Sequence, residues 1–264
     1  MSESTQTATP ASPPEQLRMI WPPERLDAPP TVTIHPDYEL RTFRHGSPED
    51  LNGWVRLMEL AGFGVWDETR FAPILARILP NGWFFAVHRE TGVLAASAMA
   101  CHEPRPLHPF GGALNWVCGD PAHRGNGLGM TVCAAVTARL LAAGYENIFL
   151  LTDDFRLPAI SIYLRLGYRP LLHAPDMAER WRVVYKHLGR TEDERLWYNV
   201  REGEILPNDE ESPEEIVADE ALWDAQFTAS QEGMKKMAEK ALAEVEAGKS
   251  TPMVFTADGR IIPG

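Results

Sequence analysis

The sequence predicts a mixed α/β fold, in which helices cover a sheet of both parallel and antiparallel strands. Three strand-like segments follow one another directly, at 82–89, 92–101 and 112–119. Helical and strand-like segments alternate after them, and a glycine-rich loop at 125–129 joins the third strand to a helix. A doubly wound dinucleotide-binding sheet alternates strands with helices throughout. The three successive strands therefore argue against that architecture and favour a mixed sheet with helices on both faces.

The elements before these strands are one strand and two helices. Residues 38–44 alternate apolar and polar side chains, as a half-buried strand does. A helix follows, for which Ser47 is the predicted N-cap and Pro48 suits the first turn. A second, shorter helix at 67–79 contains Pro73. The first helix carries an apolar stripe that we expect in the core: Trp54, Leu57, Met58 and Leu60.

Helices and strands alternate after the glycine loop. The next helix ends near Gly144, and the continuously apolar segment 146–152 predicts a buried strand. A short helix follows at 157–168. Segments 168–175 and 180–188 are predicted to form a last pair of strands. The stripe that turns the first of these helices toward the sheet has apolar residues four apart: Leu128, Val132, Val136 and Leu140.

The chain divides into three zones. Residues 1–37 are rich in proline, serine and threonine, and we expect a partly disordered arm whose second half lies along the domain surface. Residues 38–190 hold the predicted α/β domain. Residues 191–264 carry eighteen acidic and seven basic side chains and account for most of the net charge of −12. We expect this acidic extension to be mainly helical, with a helical run at 212–247 and a final hairpin that turns at 258–259.

Composition argues against several classes of function. No apolar run approaches the roughly 18 residues that a membrane span needs, and the N-terminus lacks the pattern of a secretory signal. The nearly neutral central domain has no basic face of the kind that binds nucleic acid. Three cysteines without a C-x-x-C pair fit a reducing cytoplasm, and the histidines lack metal-ligand spacing. We therefore expect a cytoplasmic protein that binds no metal, membrane or nucleic acid.

The glycine loop has the form of an anion-binding site. Its stretch RGNGLG, residues 124–129, lacks the Gly-Lys-Ser/Thr of a Walker A loop, and its glycine spacing does not match G-x-G-x-x-G. The first turn of a helix offers free N–H groups and a partial positive charge, and glycines keep Cβ atoms away from a bound phosphate. Arg124 adds a cation beside those N–H groups. We therefore expect a pyrophosphate to bind here.

Two blocks of sequence together resemble the GNAT acetyltransferase superfamily. The stretch DPAHRGNGLGMTV, residues 120–132, is similar to the acetyl-CoA binding motif of that family. The stretch DDFRLPAISIYLRLGYRP, residues 153–170, is similar to its next signature, in which Tyr163 is followed by Gly167 and an aromatic residue. One amphipathic helix and one buried strand separate the two blocks, as in the family. The opening from Trp21 to Leu57 also resembles mycothiol synthase-like members.

The resemblance implies a GNAT-like acyl-CoA N-acyltransferase fold and gives roles to particular residues. The end of the strand before the loop, from Val117 to Gly119, would pair its backbone with the pantetheine arm. Tyr163 would protonate the CoA thiolate as it leaves, since a phenol and a thiol have similar basicity. The amine would attack the thioester directly, with a backbone N–H polarising the carbonyl. The residues whose backbone N–H groups would bind the pyrophosphate are Gly125, Asn126, Gly127, Leu128 and Gly129.

The sequence departs from the family pattern at two points. Arg156 stands where many members have asparagine, and it would either contact a phosphate of the coenzyme or lie at the surface. Many members have a glutamate base on the strand before the loop, but here that strand offers Asn115 and no carboxylate. Ligands gather at the C-terminal ends of strands, which favours Asp153 as the base, although it could also serve only as a cap. The other candidate bases are Asp154, His102, Glu103 and Asp120.

The sequence therefore predicts an N-acetyltransferase that transfers an acetyl group from acetyl-CoA to an amine of a small molecule in a ternary complex. Phe63, Trp66 and Phe71 are candidates for lining an apolar acceptor site. The missing strand carboxylate would also suit a GNAT module that binds CoA without chemistry and acts in interaction or sensing. The acidic extension would suit partner binding, and a homodimer is compatible with the sequence.

Overall fold

The computed structural model describes residues 15–64, 66, 68–201, 203–207, 253–255 and 261–263. The helices described are α1 (Pro48–Leu60), α2 (Glu68–Leu75), α3 (Leu128–Ala142), α4 (Leu157–Leu166) and α5 (Met177–His187). The strands described are β1 (Leu17–Ile20), β2 (Tyr38–Thr42), β3 (Ile78–His88), β4 (Leu94–His102), β5 (Gly112–Gly119), β6 (Ile148–Thr152), β7 (Arg169–Leu172), β8 (Tyr198–Arg201), β9 (Glu204–Pro207), β10 (Met253–Phe255) and β11 (Ile261–Pro263). The chain forms two compact units, Met1–Asp209 and Glu210–Gly264.

Strands β1 to β9 form one mixed sheet in the order β2-β3-β4-β5-β6-β1-β7-β8-β9. Two neighbouring pairs are parallel, β5 with β6 and β7 with β8. The three successive strands β3, β4 and β5 pair antiparallel in chain order. The predicted mixed α/β fold is confirmed, because one sheet holds both parallel and antiparallel pairs, and the helices α3 and α5 lie in the connections between the parallel strands.

Strand β1 lies inside the sheet, although it comes from the proline-rich N-terminal segment. It pairs antiparallel with β6 on one side and with β7 on the other. Leu17 and Met19 are 0% exposed, and Trp21 after them is buried as well. The expectation of an arm along the surface is wrong for these residues, because this short apolar segment completes the hydrogen bonding of two strands. Because β7 pairs with β1 and β8, the predicted pairing of 168–175 with 180–188 is also wrong.

Helix α5 occupies most of the segment for which a strand was the expectation. Its apolar residues recur at helical spacing, and Trp181, Val184 and Tyr185 are buried on one face. Val183 lies on the other face and is exposed. The period of three and four residues decides the structure here, and it outweighs the strand preference of two adjacent valines.

Helices cover both faces of the sheet. Alternate residues of β4 point to opposite sides, with Ala98 and Ala100 in the core beneath α3 and Met99 in the core beneath α1. The predicted stripe of α3 is buried along its whole length, from Leu128 to Leu140. In α1, the Ser47 hydroxyl accepts a hydrogen bond from the Asp50 N–H at 3.2 Å, as expected of an N-cap.

The last described strands form two antiparallel pairs. β8 pairs with β9 in the first compact unit, and β10 pairs with β11 in the second. The predicted helical run at 212–247 and the hairpin turn at 258–259 lie outside the described residues. Among the helices that are described, none has the length and apolar character needed to cross a membrane.

Candidate active site

A cleft of about 930 Å³ opens where β5 and β6 separate. The two parallel strands are joined by the pairs Gly112–Ile148 and Ala113–Phe149, and beyond these pairs they diverge. The diverging halves line the cleft, from Asn115 to Gly119 on β5 and from Leu151 to Thr152 on β6. Strands that separate leave backbone N–H and C=O groups able to pair with an extended ligand.

The glycine loop borders one end of the cleft, and glycine is needed at its positions for different structural reasons. Gly125 and Gly127 have φ angles of +88° and +72°, a conformation that favours glycine. Gly127 is also the N-cap of α3. At Gly129 the constraint is space, because a Cβ there would lie 2.8 Å from Cδ1 of Ile162 on α4. The loop therefore combines a special backbone conformation with a close approach of α3 and α4.

Side chains hold the loop in place from behind. The amide of Asn126 donates to the Tyr38 hydroxyl and to the His123 carbonyl, both at 3.1 Å. Asp120 accepts from the Ala122 N–H at 2.8 Å and from Arg56 at 2.7 Å. The N–H groups of the first turn of α3 have no acceptor within the helix. That they bind pyrophosphate, with Arg124 beside them, stays a prediction.

Strand β5 carries a bulge at Trp116 that no sequence pattern signals. Asn115 pairs with Met99 and Cys118 pairs with Ser97, so β5 has one residue more than β4 over this interval. Trp116 has a φ of +54°, which is unusual for a residue with a bulky side chain. A bulge of this kind turns the backbone out of the ladder. The turned segment faces the cleft, which Trp116 and Val117 both line.

Tyr163 reaches the same cleft from α4, across from the bulge. It is 5% exposed, and burial raises the pKa of its hydroxyl well above the ordinary value of 10. Among the described residues, none accepts or donates a hydrogen bond at this hydroxyl. Tyr163 therefore keeps its proton at neutral pH and can donate it toward the cleft.

Asp153 lies in the cleft immediately after β6, but it is already bonded. Its carboxylate accepts from Arg156 at 2.8 Å and from the amide of Gln16 at 3.0 Å. Burial opposes its ionisation, but these hydrogen bonds outweigh burial and lower the pKa of the carboxyl. The Arg156 guanidinium also lies 4.3 Å from the ring centroid of Phe63. The structure thus places Arg156 on Asp153 and Phe63 in the cleft wall.

A second carboxylate, Glu103, reaches the cleft from the neighbouring strand. It follows β4 and is 7% exposed. Its carboxylate accepts hydrogen bonds from the Asn115 amide on β5 and from Arg105, and Arg77 lies 3.6 Å away. Asn115, which stands where a base was sought in the sequence, therefore holds a carboxylate from the adjacent strand beside the bulge.

The other candidate bases are engaged elsewhere. His102 shares a hydrogen bond of 2.9 Å with the Tyr145 hydroxyl, and Asp154 accepts from Arg180 at 2.7 Å. Neither side chain lines the cleft. Asp120 lines the cleft, but its carboxylate already accepts hydrogen bonds from Ala122 and Arg56.

The aromatic residues predicted for an acceptor site divide into two groups. Phe63 lines the cleft, where its ring contacts that of Trp116 at a centroid distance of 5.8 Å. Trp66 and Phe71 are buried behind it and pack against Trp54. Sequence patterns gave no signal for Gln16, Arg77 or Arg105, because each comes from a segment without a recognisable motif.

Comparison with known proteins finds a family model that matches part of the chain. Residues 51–168 match the model of the acetyltransferase (GNAT) family. An uncharacterized N-acetyltransferase of Bacillus subtilis, YobR, is 26% identical over 119 residues, which are 45% of this chain and 46% of that protein. The match thus spans less than half the length of that relative.

Two solved structures are also similar. A GCN5-related N-acetyltransferase from Sphaerobacter thermophilus is 21% identical with a TM-score of 0.48, over 59% of this chain and 47% of that one. A GCN5-related N-acetyltransferase from Kribbella flavida is 21% identical with a TM-score of 0.40, over 60% and 55% of the two chains.

Proposed function

The chain carries a domain of the GNAT acetyltransferase family at residues 51–168, and from this premise we propose that the protein transfers an acetyl group from acetyl-CoA to an amine of a small molecule. The amine attacks the thioester directly while both substrates are bound. The observation that carries this proposal is the convergence of the glycine loop, the β5 bulge and Tyr163 on one cleft.

The glycine loop side of the cleft suits the coenzyme. The N–H groups of residues 125–129 and the positive end of α3 would bind the pyrophosphate, with Arg124 as an added cation. The pantetheine arm would extend along β5 and pair with the backbone from Val117 to Gly119. Arg156 is bonded to Asp153 and lies over Phe63, so we assign it to the cleft wall beside the thioester rather than to a coenzyme phosphate.

The bulge and Tyr163 suit the chemistry. A backbone N–H turned out of the ladder at Val117 would donate to the thioester oxygen as negative charge develops there. The amine nitrogen forms a bond to the carbonyl carbon, and the carbon–sulfur bond then breaks. Tyr163 donates its proton to the departing thiolate. No covalent intermediate with the protein is needed, and the three cysteines are buried.

The amine must lose a proton, and two carboxylates reach the cleft to take it. We favour Glu103, because Asn115 holds it beside the bulge where the carbonyl carbon would lie. Asp153 is the alternative, and like Glu103 it is already bonded to an arginine, since it accepts from Arg156 at 2.8 Å. Transfer through a bound water would serve either residue.

The test is thiol release from acetyl-CoA with a panel of small amines, measured for the wild type and for Tyr163→Phe. We expect turnover in the wild type and a large loss in the variant. Tight CoA binding without turnover of any amine would instead favour the non-catalytic CoA-binding module, which the lack of a carboxylate on β5 suggested. Calorimetry checks that CoA binds, which both functions require. The thiol assay then separates them, because only acetyl transfer releases thiol.

A further inference from the structure

The end of the cleft beyond the bulge carries more positive than negative charge. Arg77, Arg105 and Arg156 line it, against the two carboxylates of Glu103 and Asp153. The whole chain has a net charge of −12, so this local excess of cations runs against the overall composition. Cations gathered at a partly enclosed site are unfavourable unless an anion completes them.

The two arginines on Glu103 are fixed in place and keep donors for another partner. Arg105 uses Nε and one terminal nitrogen on Glu103, and Arg77 uses Nε on the Pro73 carbonyl at 3.3 Å. Their side chains are 38% and 42% exposed. A guanidinium has five N–H donors, and no described residue accepts from Nη1 of Arg105 or Nη2 of Arg77.

The backbone that presents Arg105 is rigid. The Arg105 N–H donates to the His108 carbonyl at 2.9 Å, and the His108 N–H donates back at 2.8 Å. The Glu103 N–H is tied to the Gly111 carbonyl at 2.8 Å. Because the guanidinium is already held by Glu103 and its loop is closed, binding an anion there costs little further ordering.

The face of the sheet next to the cleft carries one further arginine, Arg18, whose guanidinium lies 3.7 Å from Glu15. Arg18 on β1 pairs with Leu151 on β6, and Leu151 lines the cleft. The Nε of Arg18 is buried with no hydrogen-bond partner among the described residues. His108 stacks on Phe149 of the same face at 4.0 Å, and its Nδ1 donates to the Asn147 amide oxygen at 2.6 Å, so the buried Nε2 of the neutral ring is an acceptor and adds no donor for an anion. The groups that face this surface are Glu15, Arg18, Arg105, His108 and His173.

We propose that the acceptor amine also carries a carboxylate, which Arg77 and Arg105 bind at the end of the cleft beyond the bulge. A guanidinium fork matches the two oxygens of a carboxylate, and both arginines have donors left for them. The amine would then lie toward Glu103 and close to the carboxylate, because both arginines contact Glu103, and an apolar or aromatic body would extend from them to contact Phe63 and Trp116. This inference rests on the proposed acetyl transfer, because it names the class of acceptor.

The experiment measures binding, so it does not depend on turnover. Calorimetry on the full chain saturated with CoA compares 3-phenylpropionate with 3-phenylpropionamide, which have the same shape but differ in charge. We expect the acid to bind at least tenfold more tightly than the amide. The double variant Arg77→Gln/Arg105→Gln should remove this preference, and Arg105→Lys should retain part of it, because lysine keeps the charge but lacks the fork. Arg89→Gln, at the distant β3–β4 turn, is the matched control and should behave as wild type.

The outcomes separate the two proposals. Equal binding of acid and amide to the wild type, or a preference that survives in the double variant, overturns the carboxylate site and leaves acetyl transfer to neutral amines standing. A retained preference for the acid, together with no thiol release from any amine, instead contradicts acetyl transfer and leaves an anion site. Circular dichroism of each variant checks that the fold is kept.

Discussion

The two ends of the cleft are built in different ways. The end proposed for the coenzyme uses the backbone at the end of β5 and of the glycine loop, together with one residue of α4, all within residues 117–163. The acceptor end uses side chains from four separate places: Gln16 before β1, Arg77 before β3, Glu103 and Arg105 after β4, and Asp153 after β6. The proposed acceptor end consists of side chains, so substitutions alone can change which acceptor it binds.

Tyr163→Phe should give the largest effect and shows whether the coenzyme end does chemistry as well as binding. Loss of the proton donor should lower kcat by about a hundredfold to ten-thousandfold. The dissociation constant of CoA should stay within about threefold, since the ring remains in place. Stopped-flow thiol detection and calorimetry measure the two quantities. An unchanged kcat would remove Tyr163 from the mechanism.

Glu103→Gln should give the next largest effect, and it tests the acceptor end. Glutamine keeps the shape and the contact with Asn115 but cannot take a proton, so kcat/KM for the amine should fall by about a hundredfold. Asp153→Asn is the matched control and should cost less than about tenfold, because we place the reacting carbonyl carbon beside Glu103 and Asn115 rather than beside Asp153. The reverse order of the two variants would make Asp153 the base.

Gly127→Val addresses the backbone site directly. Gly127 has a φ of +72°, which a β-branched residue adopts only with strain, so the N–H groups of the loop should move. The dissociation constant of CoA should rise by about tenfold or more. Thr137→Val, in the same helix and away from the loop, serves as the control. Wild-type affinity in Gly127→Val would refute the assignment of the pyrophosphate site.

The smallest effect concerns the pH dependence of stability at the acceptor end. Burial is the main cause that lowers the pKa of His108 from 6.5 to about 4. The unfolded chain therefore binds a proton between these values that the folded chain does not, and the free energy of unfolding decreases as the pH falls through this range. From pH 7 to pH 5 the loss due to His108 should be about 1–2 kcal/mol.

Urea unfolding at the two pH values measures this loss, and His108→Gln should reduce it. Equal slopes for wild type and His108→Gln would show that His108 does not contribute.

The sequence predicted the strand, the loop and the two helices of the proposed coenzyme end because their determinants are local, and the binding roles of their residues stay predictions. Glycine spacing and the position of Tyr163 depend on one loop and one helix, and a short pattern carries them. The acceptor end depends on which strands become neighbours, and this could not be read along the chain. Glu103 became informative only when β4 and β5 placed it on Asn115.

The two errors in the fold have a related cause. Strand β1 is four residues long and lies in a proline-rich segment, so composition outweighed its short apolar pattern. The segment of α5 contains adjacent valines, which favoured a strand although its apolar residues have helical spacing. In both segments, long-range burial decided the structure, and a local pattern does not report it.

The place of β1 also constrains how the chain acquires its structure. Leu17 leaves the ribosome first among the paired residues, but its partners on β6 follow about 130 residues later. The gap between β6 and β7 closes only when residues 17–20, which are made well before both strands, return to it. Until then, two strands expose unpaired edges to other chains. Shortening the N-terminus past Leu17 would therefore increase aggregation during synthesis, even where the rest of the domain is intact.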